Sequence, residues 1–161
     1  MKSALLALVL MLAVSTSASA ESFRGVSTFV LKESLMVQPG WARSFVQGGE
    51  RRKFSELDQW TTYCSVEVNT LADKHDRIYI GTGVYQVLGY RLSQPFLGAF
   101  AWSNLRDNPW PVDIQIDFKL RGDADPDVIR LRCNRTVEAY SPLGFTWQQI
   151  NRAFGEIGSL Q

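Results

Sequence analysis

One stretch of the chain, Val112 to Arg121, alternates without error between apolar and polar side chains, and that rhythm constrains the fold more than any other feature. Val112, Ile114, Ile116, Phe118 and Leu120 fall on one side; Asp113, Gln115, Asp117, Lys119 and Arg121 fall on the other. A period of two belongs to a strand with one buried and one wet face, because successive Cβ atoms point to opposite sides of the pleat. After the turn residues Gly122-Asp123-Ala124-Asp125-Pro126, the pattern resumes with Ile129, Leu131 and Cys133 on the apolar side and Arg130, Arg132 and Asn134 on the polar side. The two runs read as a hairpin. Setting Asp117 opposite Arg130 and Gln115 opposite Arg132 pairs unlike charges; a slide by two residues would set Lys119 against Arg130. The first register is the one expected.

The same rhythm returns at Cys64, which shares a side with Val66 and Val68, while Tyr63, Ser65 and Glu67 take the other. Glu67 is therefore expected to face solvent. Elsewhere, Phe29, Leu31, Leu35 and Val37 alternate along a strand ended by Gln38-Pro39-Gly40, and Trp41 to Gln47 form a strand closed by a Gly48-Gly49 hairpin turn. Ser55 to Trp60 read as a short helical turn that Ser55 can cap. Arg77 to Leu92 are rich in Tyr, Ile and Val, with Gly81, Gly83 and Gly89 marking bends or bulges. Pro95 to Trp102 give a further strand and Ser103 to Pro111 a loop.

At the end of the chain the period changes. Thr146 and Gln149 fit a capping box, and Trp147, Ile150, Phe154 and Ile157 recur at helical spacing until Gly158 stops the helix. The expected architecture is mainly β, an antiparallel sandwich or partly open barrel of about seven or eight short strands with one C-terminal helix.

The front of the chain is of another kind. Lys2, an apolar run from Ala4 to Val14, and small residues ending Ala18-Ser19-Ala20 have the form of a cleavable secretory leader. The run falls short of the roughly 20 apolar residues that span a bilayer. Residues 1–20 read as this signal peptide and 21–161 as a single domain of periplasmic or secreted location, with no integral membrane segment once the leader is gone. Removing Lys2 takes the formal net charge from +1 to about zero, which leaves no electrostatic footprint for nucleic acid. Arg51, Arg52 and Lys53, flanked by Glu50, Glu56 and Asp58, read as a solvated turn.

In an exported chain an even cysteine count points to a disulfide, here Cys64 with Cys133. Their separation excludes a C-x-x-C redox motif, and neither has ligands at zinc spacing. Closing so long a loop stabilises a fold by about 4 kcal/mol in the chain-entropy picture.

Candidate chemistry is sparse. His75, the lone histidine, sits in the polar run Asp73-Lys74-His75-Asp76-Arg77 with no nucleophile motif to serve, and reads as a solvated loop residue. Asp123, Asp125 and Asp127 lack the glycine and glutamate of an EF-hand loop, with Val128 and Asn134 in their places, and read as a hairpin loop. Glu67 and Glu138 have no feature that makes them a glycosidase pair. Asn134-Arg135-Thr136 matches a glycosylation sequon that is inert behind a bacterial leader. No cofactor or metal is implied. Trp102 and Trp110, with Phe96 and Phe100 nearby and Tyr85 and Tyr90 on the long strand, either plug the end of the sheet or line a pocket for a sugar, peptide or lipid.

The run from Pro39 to Gly49 containing Ala42-Arg43-Ser44-Phe45-Val46-Gln47-Gly48-Gly49, then Tyr63-Cys64-Ser65-Val66-Glu67-Val68 and Ile129-Arg130-Leu131-Arg132-Cys133, resembles small exported proteins of Gram-negative bacteria that have no assigned function. The resemblance implies a β-rich periplasmic domain with one disulfide and transfers no catalytic residue. The function expected is that of a non-enzymatic binding or accessory domain of the cell envelope, its partner an envelope protein reached through an exposed strand edge. A small-ligand binder using Trp102, Trp110, Tyr85 and Tyr90 is the second reading, and a hydrolase without a recognisable motif the third.

Overall fold

The computed structural model describes residues 23, 25–73, 75, 77–93, 111–123, 125–138, 141 and 144–161. In chain order its strands are β1 (Thr28–Leu31), β2 (Leu35–Val37), β3 (Arg43–Gln47), β4 (Glu50–Arg52), β5 (Tyr63–Val68), β6 (Ile78–Ile80), β7 (Gly83–Ser93), β8 (Val112–Gly122), β9 (Val128–Val137) and β10 (Gly158–Leu160), with helix α1 at Trp147–Phe154. The expected signal peptide, Trp102 and Trp110 lie outside the described residues, as does nearly all of the strand and loop expected between Pro95 and Pro111.

Eight strands form one antiparallel sheet in the order β10-β1-β7-β8-β9-β5-β3-β4, curled into a half-barrel; β2 and β6 make a separate two-stranded ribbon. The mainly β, partly open barrel with a C-terminal helix is the architecture expected from the sequence. The alternation of β8 holds in full: its apolar residues are buried and the polar ones between them more accessible. Phe29, Leu31, Tyr85, Ile116, Phe118, Leu131 and Val66 line the inner face, and Ile150, Ala153 and Phe154 of α1 belong to the same core. Phe154 meets Phe29 at 5.0 Å between ring centroids. The helix touches β10 on one side and β3 and β5 on the other, so it spans the open side of the curl.

Cys64 and Cys133 are directly paired across β5 and β9 and joined by a disulfide, with Cα atoms 4.0 Å apart. Such close approach belongs to the non-hydrogen-bonded pairs of an antiparallel ladder, whose side chains stand nearest each other. Both cysteines are fully buried.

The hairpin of β8 and β9 takes the other register, which keeps one unlike-charge pair beside the like pair of Lys119 and Arg130. Asp117 stands opposite Arg132 and Lys119 opposite Arg130, two residues from the expected alignment. The reason lies in a third strand. Arg132 Nε donates to Asp117 Oδ1 at 2.8 Å, while Arg130 finds Glu67 of β5 at 3.6 Å on its other flank. A two-stranded argument lacks that carboxylate. Ile129 also departs from expectation: the β5–β9 register shifts at Glu67/Val68, so Val128 takes the inward place and Ile129 is 36 % exposed.

Other corrections are local. Phe29, Leu31, Leu35 and Val37 are all buried, but they belong to two strands, because Lys32 and Glu33 turn aside to give their N–H groups to Ile157 O. Arg51 and Arg52 lie in a strand, not a turn. The turn after them is a 3-10 segment, Phe54–Glu56, entered at Lys53, whose N–H is accepted by Glu56 Oε2 at 3.1 Å; Ser55 caps nothing. The bulge expected in the long strand is present, the β7–β8 register shifting between Val87 and Gly89.

The capping box of α1 forms as expected: Gln149 N–H donates to Thr146 Oγ1 at 3.2 Å and Thr146 N–H to Gln149 Oε1 at 2.9 Å. The helix stops at Gly155, φ 55°, and not at Gly158. A Cβ at Gly155 would sit 2.8 Å from Gly49 Cα, so the helix end rests on the glycine turn between β3 and β4. Gly158 instead opens β10, where an added Cβ would meet Val30 O at 2.7 Å.

Candidate site at an open sheet edge

The two margins of the half-barrel are finished differently. At the β10 margin, Leu160 pairs with Phe29 on one side, and on the other its N–H and C=O are taken by the side-chain amide of Asn151. At the β4 margin no further strand follows among the described residues, and Glu50, Arg51 and Arg52 are all exposed. Gly48 and Gly49, at φ 62° and 80°, make the two-residue turn that joins β3 to β4. Gln47 and Glu50 close that turn, so the next pair, Val46 and Arg51, turns the Arg51 backbone N–H and C=O away from the sheet.

Beside this edge lies a shallow cavity of about 190 Å³ lined by Met36, Arg43, Phe45, Arg51, Arg52, Lys53 and neighbours. Trp41, Phe45 and Phe54 form an aromatic cluster with centroid separations of 5.4–5.8 Å. Phe45 is buried, whereas Trp41 and Phe54 are 37 % and 48 % exposed, an apolar shelf next to unpaired backbone. The basic side chains are held in place by acids: Arg51 by Glu33 at 2.8 Å, Arg52 by Glu50, and Lys53 by Glu56 at 3.9 Å.

Further in, the convex face carries a charge cluster. Glu67, expected to be solvated, is only 8 % exposed and lies among three guanidinium groups: Arg43 at 3.3 Å, Arg132 at 3.4 Å and Arg130 at 3.6 Å. The strands beside β5 each present an arginine at that height, and their side chains roof the carboxylate. Burial works against the charge of Arg132, but the Asp117 hydrogen bond and the charges of Glu67 and Asp117 prevail and raise its pKa. Tyr63, on the same face, has its phenol pushed up by burial and by the Asp113 charge, with Arg43 opposing.

Of the aromatic residues singled out from the sequence, Tyr85 is fully buried in the core and its hydroxyl donates to Gly81 O at 2.6 Å. Burial, with help from Asp125, pushes that phenol up to about 12. Tyr90 is 49 % exposed and packs on Phe23 and Phe118. The structure does not bring these two tyrosines together. His75 is exposed. Asp125 accepts from the N–H groups of Gly81 and Asp127, and Asp127 accepts from Thr70, so two loop aspartates tie neighbouring turns together. Among the described residues no group of three or more His, Cys, Asp and Glu side chains could hold a metal.

Arg135 escaped the sequence reading. It sits on the inward side of β9, opposite Ile114, with Nη2 donating to Gly144 O at 2.7 Å and its guanidinium 5.6 Å from the Phe145 ring centroid. Burial lowers its pKa, and its buried Nε has no hydrogen-bond partner among the described residues. The only signal was position: an even step from Cys133 along an alternating strand.

No family model matches the chain, and neither a curated protein nor a solved structure matches it. Among the described residues no helix is long and apolar enough to cross a membrane.

Proposed function

We propose that the protein is an exported, non-enzymatic binding or accessory domain of the cell envelope, and that it recruits an extended segment of a partner protein by adding it to the β4 edge. The observation that carries this reading is the unequal finish of the two sheet margins. Asn151 satisfies the backbone at one end, whereas at the other the Arg51 N–H and C=O face away from the sheet with no partner among the described residues. Main-chain hydrogen bonds give a strand-addition complex its affinity and neighbouring side-chain contacts give it specificity. Here Trp41 and Phe54 offer the apolar contact and Arg51 and Arg52 the polar one. The leader and the Cys64–Cys133 bridge support an oxidising, extracytoplasmic location.

The test is capture from an envelope fraction by tagged wild-type protein and by an Arg51→Pro variant, compared by mass spectrometry. Proline removes the outward N–H without touching a ladder bond, and edge strands tolerate it there. A partner held by the wild type and lost by the variant supports the reading; equal capture by both overturns it.

A further inference from the structure

The β4 edge has a symmetry of its own. Glu50 and Arg52 spend their backbone groups on the ladder with Gln47 and Phe45, while the Val46–Arg51 pair between them makes no such bonds. Just beyond the strand, the Gly49 N–H donates to Ala153 O at 2.9 Å and the Lys53 N–H to Glu56 Oε2 at 3.1 Å. Within the strand the open groups are therefore one N–H and one C=O, both from Arg51. A hydrogen-bonded pair of an antiparallel ladder exchanges two such bonds. A second copy, related by a two-fold axis through Arg51, supplies both, because a two-fold contact sets the same surface of each copy against the other.

The side chains fit the same axis. With Arg51 at the centre, Glu50 falls opposite Arg52 of the second copy, and Arg52 opposite its Glu50. Within one copy Arg52 and Glu50 are already an exposed ion pair on one face of the strand. Two copies together make a ring of four charges alternating in sign, and unlike charges directly opposite stabilise a sheet. Parallel pairing in register would set Glu50 against Glu50 and Arg52 against Arg52. The central arginines are alike in charge, but each is held by its own Glu33 at 2.8 Å. We propose that β4 pairs antiparallel with β4 of a second copy of this chain, joining two half-barrels into one continuous sheet. This self-pairing rests on the same open edge as strand recruitment, and it covers that edge when no partner is bound. Two main-chain bonds and exposed ion pairs make a weak joint, so dilution or a better-fitted strand frees β4.

Sedimentation equilibrium of the disulfide-bonded protein over a concentration series tests the joint. The wild type should pass from monomer to dimer as concentration rises. Arg51→Pro should stay monomeric, because proline removes the bridging N–H. Glu50→Arg makes the strand all cationic and Arg52→Glu sets anions at both its ends, so each variant faces like charges across the axis. Each should raise the dimer dissociation constant by roughly tenfold, two unlike pairs having become like ones. An equal mixture of the two variants restores unlike pairs at both positions and should dimerise as the wild type does. Variants that had merely lost their fold would gain nothing from mixing. A wild type that stays monomeric throughout, a Glu50→Arg variant that dimerises equally well, or a mixture no tighter than its components overturns self-pairing. Capture of an envelope partner reads separately: capture by a protein that never dimerises removes self-pairing alone, and dimers without capture remove strand recruitment alone.

Discussion

The side-chain amide of Asn151 holds both backbone groups of Leu160, its Nδ2 donating to the Leu160 carbonyl at 3.2 Å and its Oδ1 accepting from the Leu160 N–H at 2.7 Å. One side chain thus stands in for a missing neighbouring strand. An unprotected edge invites pairing with other chains, and proteins cover or charge such edges to prevent it. This protein covers one margin from its own helix and leaves the other to β4, an asymmetry on which the functional reading rests.

Replacing Asn151 by alanine removes both hydrogen bonds while Leu160 stays buried beneath. Loss of about 1–3 kcal/mol is expected, the cost of leaving buried backbone groups unpaired. Urea denaturation with a wild-type slope and a lower midpoint would confirm it; an unchanged midpoint would mean that water satisfies Leu160 equally well.

Gly155→Ala should also be poorly tolerated. Its φ of 55° disfavours a side chain, and the new Cβ would fall 2.8 Å from Gly49 Cα. Destabilisation of more than about 1 kcal/mol is expected, read by the same denaturation measurement. Gly81→Ala, whose Cβ would meet nothing within 4 Å, is the matched control.

Glu67→Gln leaves three guanidinium groups facing a neutral amide. Because the Glu67 side chain is only 10 % exposed, while its partners range from 20 % to 38 %, a loss of about 1–3 kcal/mol is expected, below that of a fully buried pair. The variant should lose less stability as sodium chloride rises, since salt screens the remaining repulsion. A loss independent of salt would count against the electrostatic account.

Tyr85 makes stability depend on alkaline pH. Its folded pKa, about 12, lies above the unfolded value of 10.0, so the folded state keeps its proton longer. That contribution is fully present below pH 10 and is lost as pH rises towards about 12. Tyr85→Phe should flatten the fall in stability over this window, at a cost of about 1 kcal/mol at neutral pH from the lost bond to Gly81. A fall as steep as in the wild type would assign the dependence to other groups.

The parts of the fold legible in the sequence were those fixed by local rules. The alternation of Val112 to Leu120, the glycine pair at Gly48-Gly49 and the Thr146–Gln149 box each require only neighbours in the chain, and each is present. What stayed hidden needed a third partner. The β8–β9 register depends on Glu67 from β5, and the burial of Glu67 depends on arginines from the strands on either side. Strand β10 is three residues long and too short to show a period; it exists because β1 and Asn151 are there to receive it. The open edge at Arg51 was obscured for a similar reason, since three consecutive basic residues after a turn have the same composition whether they pair or not.

Amide hydrogen exchange at Arg51 tests the central claim most directly, measured for the free protein and for its complex with a partner captured from the envelope. The account predicts fast exchange in the free protein and strong protection of the Arg51 N–H in the complex, with capture abolished in Arg51→Pro. Unchanged exchange at Arg51 in a complex that forms would contradict it.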